Sequence, residues 1–241
     1  MRTPLPIVID TETTGVNTDY ASVIQLGAVM AHITHEDEQS CILLNTLCQP
    51  DTEIEKGAQE VHGISADDLI YAPPVDYALN TLGLQLTSLS VTHEIVLVGH
   101  NAERFDIPLM HRQAPTAGFH NYKTIDTYTA ALRMFPAMPQ KLGELYEWYV
   151  GKTPTNAHDA VADCLMCVEI LAKMLREKDM DELEFSDWLA EPQILTVMPF
   201  GKHKGLDIDD VPHSYWRWAR TNMTDVHKDV EATICKMVGC E

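Results

Sequence analysis

The sequence predicts an α/β domain over residues 1–177, followed by a small appendage of different composition. Three observations predict it. Short apolar runs rich in β-branched residues open the chain and are separated by turn residues. A continuous apolar run, Ile95-Val96-Leu97-Val98, ends at Gly99 and suits a strand buried on both faces. Late in the domain, Val161, Leu165, Val168, Leu171, Ala172 and Leu175 recur at a helical period. Strands first, then strands alternating with helices, call for helices layered on a sheet.

In chain order, Pro6–Ile9, Val23–Ile33 and Cys41–Leu47 read as three strands joined as antiparallel hairpins. Gly15, Asn17 and Asp19 supply the first turn and His35-Glu36-Asp37-Glu38 the second. Glu53–Glu60 and Val75–Leu89 read as helices, Ile95–Val98 as the fourth strand, and a helix should begin at about Ala102. Lys123–Asp126 is a short extended piece before a helix over Tyr128–Met134. Pro136 and Pro139 break the chain ahead of a helix over Leu142–Tyr149. A loop from Gly151 to Asn156 leads into the long helix Asp159–Leu175. Residues 178–194, within a charge-rich stretch, read as a linker, and residues 195–241 as a separate module. In that module Leu195–Phe200 reads as a strand, Gly201–Gly205 as a basic turn and Ser214–Thr221 as an aromatic-rich helix.

Composition narrows the class. Apolar residues make up 45% of the 241 positions, enough for a real core. No apolar run approaches membrane-span length, and Asp10 interrupts the only one near the start, so a soluble, cytoplasmic protein without membrane contact is expected. Six cysteines are too sparse for a secreted disulfide scaffold. Cys164-x-x-Cys167 has no second pair and lies in an apolar helical run, so it reads as two buried thiols rather than a zinc half-site. The net charge of −19 lacks the basic footprint common in nucleic-acid binders. Two explanations stay open: metal-neutralised carboxylates with local Lys and Arg guiding a strand, or a short substrate with few phosphate contacts.

The chemistry-bearing residues fall in three segments. Asp10 and Glu12 end the first strand two residues apart, so both carboxylates project from one face. Such a pair repels itself unless a cation intervenes, and hard divalent ions prefer these oxygen ligands. Taken alone, Asp-x-Glu reads equally as an exposed acidic turn. Asp106 follows the fourth strand, at the strand end where α/β sheets bind ligands. The plainer alternative makes Asn101 a helix N-cap and Asp106 a favourable acid in the first turn. Asp163 lies inside the apolar helical run, where an unpaired carboxylate costs several kcal/mol and calls for a partner or a metal. His158 precedes it by five residues, and by itself would read as a surface or capping histidine. Together the segments carry oxygens enough for two ions about 3.5–4 Å apart, the arrangement used for in-line phosphoryl displacement.

Asp10-Thr11-Glu12-Thr13-Thr14-Gly15, then His100-Asn101-Ala102 with Phe105-Asp106, then His158 with Asp163, resembles the three motifs of the DEDDh exonucleases. That superfamily includes polymerase proofreading subunits, ribonuclease T, oligoribonuclease and exonuclease X. The resemblance spans about residues 6–175, and Gln59–Ile64, Asp126-Thr127 and Arg133-Met134-Phe135-Pro136 fit it as well. It implies a ribonuclease-H-like fold with a five-stranded mixed sheet flanked by helices. It also implies Asp10, Glu12, Asp106 and Asp163 as metal ligands for two Mg²⁺, with Mn²⁺ as a substitute, and His158 as general base. Thr13, Leu26, His62 and Asn101 would line the pocket for the terminal nucleotide, Leu26 as an apolar wedge against its base. Phe200-Gly201-Lys202-His203-Lys204-Gly205, Val211-Pro212 and Tyr215-Trp216-Arg217-Trp218 look like the small carboxy-terminal module of exonuclease X. That module would either grip nucleic acid or recruit a protein partner, or its aromatics would simply form its own core.

The function expected is removal of nucleoside 5′-monophosphates from nucleic-acid 3′ ends, single-stranded DNA favoured over RNA. The nearest rival is a 3′→5′ exoribonuclease that trims short oligonucleotides. A rival of another class is a non-catalytic scaffold that clamps a polymerase or nucleic acid. Retention of mutually repelling acids argues against the scaffold.

Overall fold

The computed structural model describes residues 2–239; of the six cysteines, Cys240 lies outside them. Five strands form one mixed sheet: β1 (Thr3–Thr13), β2 (Val23–Ile33), β3 (Glu38–Leu47), β4 (His93–Gly99) and β5 (Lys123–Asp126), in the spatial order β3-β2-β1-β4-β5. β1 pairs antiparallel with β2 and parallel with β4, and β4 pairs parallel with β5. β1, β4 and β5 therefore release their carboxyl ends at one edge, where ligand sites of α/β sheets form.

β1 is longer than its apolar run because it is held from both sides. Pro4 and Pro6 pair only with β4, since the β2 register begins at Ile7. Neither proline therefore has to donate an N–H to β2. Ile7 and Ile9 point into one core layer and Val8 into the other, which explains the unbroken apolar run.

Nine helices of the described residues flank this sheet and build the appendage. α1 (Lys56–His62) and α2 (Val75–Leu89) follow the hairpins. α2 buries Val75, Ala78, Leu79, Leu82 and Leu86, a helical stripe, in the layer that holds Ile7 and Ile9. α3 (Asp106–Gln113) follows β4, and α4 (Thr127–Met134) follows β5 directly. α5 (Leu142–Leu145) continues into a wider turn, Tyr146–Val150, closed by Gly151 at φ 84°. α6 (Ala160–Lys178) covers the opposite sheet face with Val161, Cys164, Val168, Leu171 and Leu175. Cys164 and Cys167 are buried thiols there, as expected: Cys167 Sγ lies 3.4 Å from Thr127 Oγ1 and Cys164 Sγ 3.5 Å from the Val8 carbonyl.

Three expectations need correction. The segment expected as a linker contains α7 (Glu182–Ala190), whose Phe185 and Leu189 enter the main core. Asp181 and Glu184 form a capping box at its start, a signal present in the sequence but hidden in a charge-rich stretch. Leu195–Phe200 is not a strand: one bridge, Val197 to Asp207, closes a short loop instead. Finally, the helix expected from about Ala102 begins at Asp106, because residues 101–105 form a turn.

The appendage comprises α8 (His213–Asn222) and α9 (Lys228–Val238) packed around Trp216, Met198, Ile208, Val230 and Ile234. Leu132 of α4 belongs to the same cluster, so this small core continues into the sheet domain. Arg133 on α4 meets Asp229 on α9 through two hydrogen bonds, Nε–Oδ2 at 2.7 Å and Nη2–Oδ1 at 2.9 Å, with both side chains almost fully enclosed. No helix of the described residues is long and apolar enough to cross a membrane.

Candidate active site

Asp10 and Glu12 lie near the carboxyl end of β1, opposite Gly27 and Gln25 of β2. α6 arrives over this point with Asp163 in its first turn. What lets it approach so closely is Gly27: a Cβ there would sit 2.7 Å from the backbone of Ala160. Gln25 then fixes the helix start, donating from Nε2 to Asp159 Oδ2 at 2.9 Å and accepting the Ala160 N–H at 3.2 Å. Asp159 caps the helix by accepting the Ala162 N–H. Neither Gln25 nor Gly27 was singled out by sequence, since their roles exist only once β2 and α6 are brought together. Gly27→Val is expected to lift α6 from the sheet, costing about 1–3 kcal/mol of overpacking. Denaturant unfolding checks this, and wild-type stability would remove Gly27 from the design.

The other expected residues converge on the same edge. His158 takes a left-handed backbone at φ 68° just before α6. Its ring, Glu12 and Asp163 each offer a ligand atom within 4.8 Å of one another, a group able to hold a metal ion. Asp163 Oδ1 is buried with no hydrogen-bond partner. Asp106 opens α3, is buried, and accepts a 2.6 Å hydrogen bond from Thr11 Oγ1. Thr11 thus joins the site from the β1 face opposite Asp10 and Glu12, a role its position between two acids did not announce.

Burial and mutual repulsion dominate the electrostatics. Desolvation, then the carboxylates of Asp106, Asp163, Glu12 and Asp159, drive Asp10 well above the usual carboxylate range. Burial and the charges of Asp163, Asp106 and Asp159 push Glu12 up to about 8. Burial raises Asp106 to about 6, opposed by its hydrogen bond from Thr11. Asp163 is also raised, chiefly by burial, with His158 acting in the opposite direction. Among the described residues no lysine or arginine forms a salt bridge to these four acids. Such a cluster can be fully ionised only beside a cation.

Residues 7–171 match the family model described as exonuclease, of the RNase T type. The chain belongs to the RNase T exonuclease family. Over 170 residues it is 26% identical to the DNA polymerase III subunit epsilon of Treponema pallidum, covering 69% of this chain and 74% of that protein. Over 237 residues it is 21% identical to exodeoxyribonuclease 10 of Escherichia coli strain K12, covering 94% and 96% of the two chains. Among solved structures, exonuclease X in complex with 5′ overhanging duplex DNA superposes with a TM-score of 0.56 at 20% identity, over 77% of this chain and 99% of that one. These neighbours share the ribonuclease-H-like fold: a mixed five-stranded sheet flanked by helices.

Within this exonuclease domain the four residues expected to hold the terminal nucleotide fare differently. His62 ends α1 with Nδ1 accepting the Ile64 N–H, while its Nε2 is buried without a partner. Burial lowers its pKa, with His158 adding to the effect and the Thr13 backbone opposing it, so it lies beside the expected site. Thr13 is buried and donates to the Gly15 carbonyl. Asn101 is not a helix cap: its φ is 68°, and its carbonyl accepts the N–H groups of Arg104 and Phe105 in the turn before α3. Leu26 is 0% exposed and packs in the core beside Ile7, Ile9 and Leu109, so it has no surface for wedging a base. The wedge role comes from the family resemblance, and nothing local in the strand tells that helices cover this face.

A buried acid outside the expected set organises the edge. Asp126, at the end of β5, accepts N–H groups of Asn101 and Glu103 and also those of Tyr128 and Thr129. It joins the turn ahead of Asp106 to the start of α4. His100 bridges Thr127 Oγ1 at 3.0 Å and the Gln140 carbonyl at 2.7 Å, and burial lowers it to about 4, so it serves as a neutral structural link.

Proposed function

We propose that this chain is a divalent-metal-dependent 3′→5′ exonuclease that releases nucleoside 5′-monophosphates from DNA ends. The observation that carries the proposal is the convergence of Asp10, Glu12, Asp106 and Asp163 at one sheet edge with His158 beside them. The donor set fits hard cations: carboxylate oxygens, one of them buried without a partner, and, among the described residues, no lysine or arginine in a salt bridge to them. Asp10, Glu12 and Asp163 would hold the ion nearest His158, Asp10 would be shared with a second ion, and Asp106 would support the pair. Mg²⁺ is the natural candidate, with Mn²⁺ as a substitute. Bound divalent ions supply Lewis-acid polarisation of the phosphoryl oxygens and an acidified water.

The protein's own residues account for the remainder. His158 stands exposed at the mouth of the site, where its imidazole can accept the proton of an attacking water. Its left-handed backbone and the Asp159 cap on α6 hold it there. Asp126 keeps the turn before Asp106 in register. Thr13, His62 and Asn101 border this edge and would contact the terminal nucleotide. His158→Ala should slow turnover by roughly 10²–10⁴-fold, the range of a lost general base, with metal binding reduced far less than in a carboxylate variant. Stopped-time assays on 5′-labelled single-stranded DNA measure it, and unchanged turnover would remove His158 from the mechanism.

A second reading, cleavage of RNA or short oligonucleotides, is favoured by the net charge of −19, which suits substrates with few phosphate contacts. Digesting 3′-labelled and 5′-labelled single-stranded DNA, duplex DNA and RNA with Mg²⁺ or Mn²⁺ separates the two. Endonucleolytic products, or digestion from the 5′ end alone, would overturn the proposed activity.

A further inference from the structure

The appendage carries a cleft of about 540 Å³ that none of the candidate active-site residues lines. Gly201, Lys202, His203, Pro212, Tyr215 and Trp218 are its principal walls. Its volume falls in the range of about 300–1,000 Å³ typical of small-ligand clefts. The turn at its rim is tightly built: the Lys204 N–H bonds the Gly201 carbonyl, and the Gly205 N–H the Met198 carbonyl. Gly201 and Gly205 take φ of 68° and 85°, a backbone that favours glycine, and between them Lys202 and Lys204 are exposed.

Three aromatic rings form the wall. Tyr215 contacts His203 edge-on at 4.7 Å and Trp218 at a tilt, 5.4 Å between centroids. Lys202 Nζ lies 5.6 Å from the Tyr215 ring centroid. The core of this module is built around Trp216, with Tyr215 half-buried against it, whereas Trp218 lies outside that cluster and remains 51% exposed. The idea that its aromatics serve only to pack the module therefore fits Trp216 and leaves Trp218 unaccounted for. Asp207, Asp209 and Asp210 are nearby in sequence, yet among the described residues no acid lines the cleft. In a chain of net charge −19, a cleft lined by Lys202, with Lys204 exposed in the adjoining turn and no described acid in its walls, is a local exception.

We propose that this cleft binds an unpaired stretch of a DNA strand, stacking bases on Trp218 and Tyr215 and holding phosphates at Lys202 and Lys204. Flat exposed rings take any base face, and neighbouring ammonium groups follow the backbone, the combination used by sequence-tolerant single-strand binders. The lysines favour this occupant over a proline-rich peptide, which would use the aromatic wall and have no need of cations. The identity of the strand rests on the exonuclease reading; the cleft's existence as a stacking site does not.

The test uses the full chain in EDTA, so that no strand is cleaved. Fluorescein-labelled dT20 is titrated with wild type, Trp218→Ala and the double variant Lys202→Glu, Lys204→Glu, with circular dichroism confirming the fold. Trp218→Ala should weaken binding by at least about fivefold and abolish quenching of tryptophan emission by unlabelled dT20. The charge-reversed variant should weaken binding and flatten its salt dependence. An abasic 20-mer should bind more weakly than dT20. Wild-type affinity in both variants, equal affinity for the abasic strand, or quenching by a proline-rich peptide but not by dT20 would each overturn the cleft. Because no metal is present, absence of nuclease activity would overturn the proposed function without altering this result.

Discussion

Asp10→Ala is expected to reduce cleavage by about 10³-fold or more, since a lost ligand removes several kcal/mol of charge stabilisation from phosphoryl transfer. Isothermal calorimetry should show the Mg²⁺ heat lost with it. The same substitution has an opposite effect on the metal-free fold. Asp10 and Glu12 titrate above their ordinary values because they are buried among like charges. A carboxyl whose folded-state pKa is raised keeps its proton when the unfolded chain has released it. Stability associated with it is therefore full below the unfolded value and is lost as pH rises through the folded one. For Glu12 that window runs from about 4.5 to about 8. Metal-free wild type should lose melting temperature across it, added Mg²⁺ should restore that loss, and Asp10→Ala should show a shallower fall because the buried, raised carboxyl of Asp10 no longer contributes its own loss. An Asp10→Ala protein that keeps wild-type Mg²⁺ heat and activity would remove Asp10 from the site.

Asp229→Ala should cost about 3–5 kcal/mol, the range for breaking one side of a buried ion pair. Arg133 would be left enclosed with its charge unpaired, still donating to the carbonyls of Trp188 and Glu191. Asp229 also accepts the Gln193 N–H, so α4, α9 and the chain between α7 and the appendage share this one carboxylate. The loss is a large share of the 5–15 kcal/mol that ordinarily stabilises a domain. Its consequences should reach the active edge. Lys228 of α9 pairs with Glu103 at 3.1 Å, Arg104 with Asp225 at 3.0 Å, and His227 Nε2 lies 2.8 Å from Thr129 Oγ1. Each ties the appendage to α4 or to the turn that leads into Asp106. Urea unfolding gives the size of the effect, and limited proteolysis should release the appendage first. A double variant with Met at 133 and Leu at 229 should recover much of the stability, because apolar residues can replace a buried pair. A loss under about 1 kcal/mol in Asp229→Ala would mean the pair is not what anchors the appendage.

Much of this architecture was legible in the residues. β2 and β5 match their apolar or extended runs to the residue, and α2 matches its helical stripe, because burial on one face or two imposes a period that survives in sequence. The acids were legible for the converse reason. Asp163 in an apolar stripe and Asp10 at the end of an apolar strand are costly placements, and cost at a particular position marks function. Tertiary structure decided the remainder. Whether Leu26 is a wedge or core depends on helices that arrive tens of residues later. Whether Gln25 and Gly27 matter depends on how closely α6 crosses β2. α7 was hidden because its stretch is charge-rich and its few apolar residues meet a core supplied by other elements. By itself the sequence determined an α/β exonuclease-type sheet with four acids and a histidine in order along the chain. Only the folded chain brought them to one edge, since distances between side chains far apart in sequence are set by packing and not by spacing.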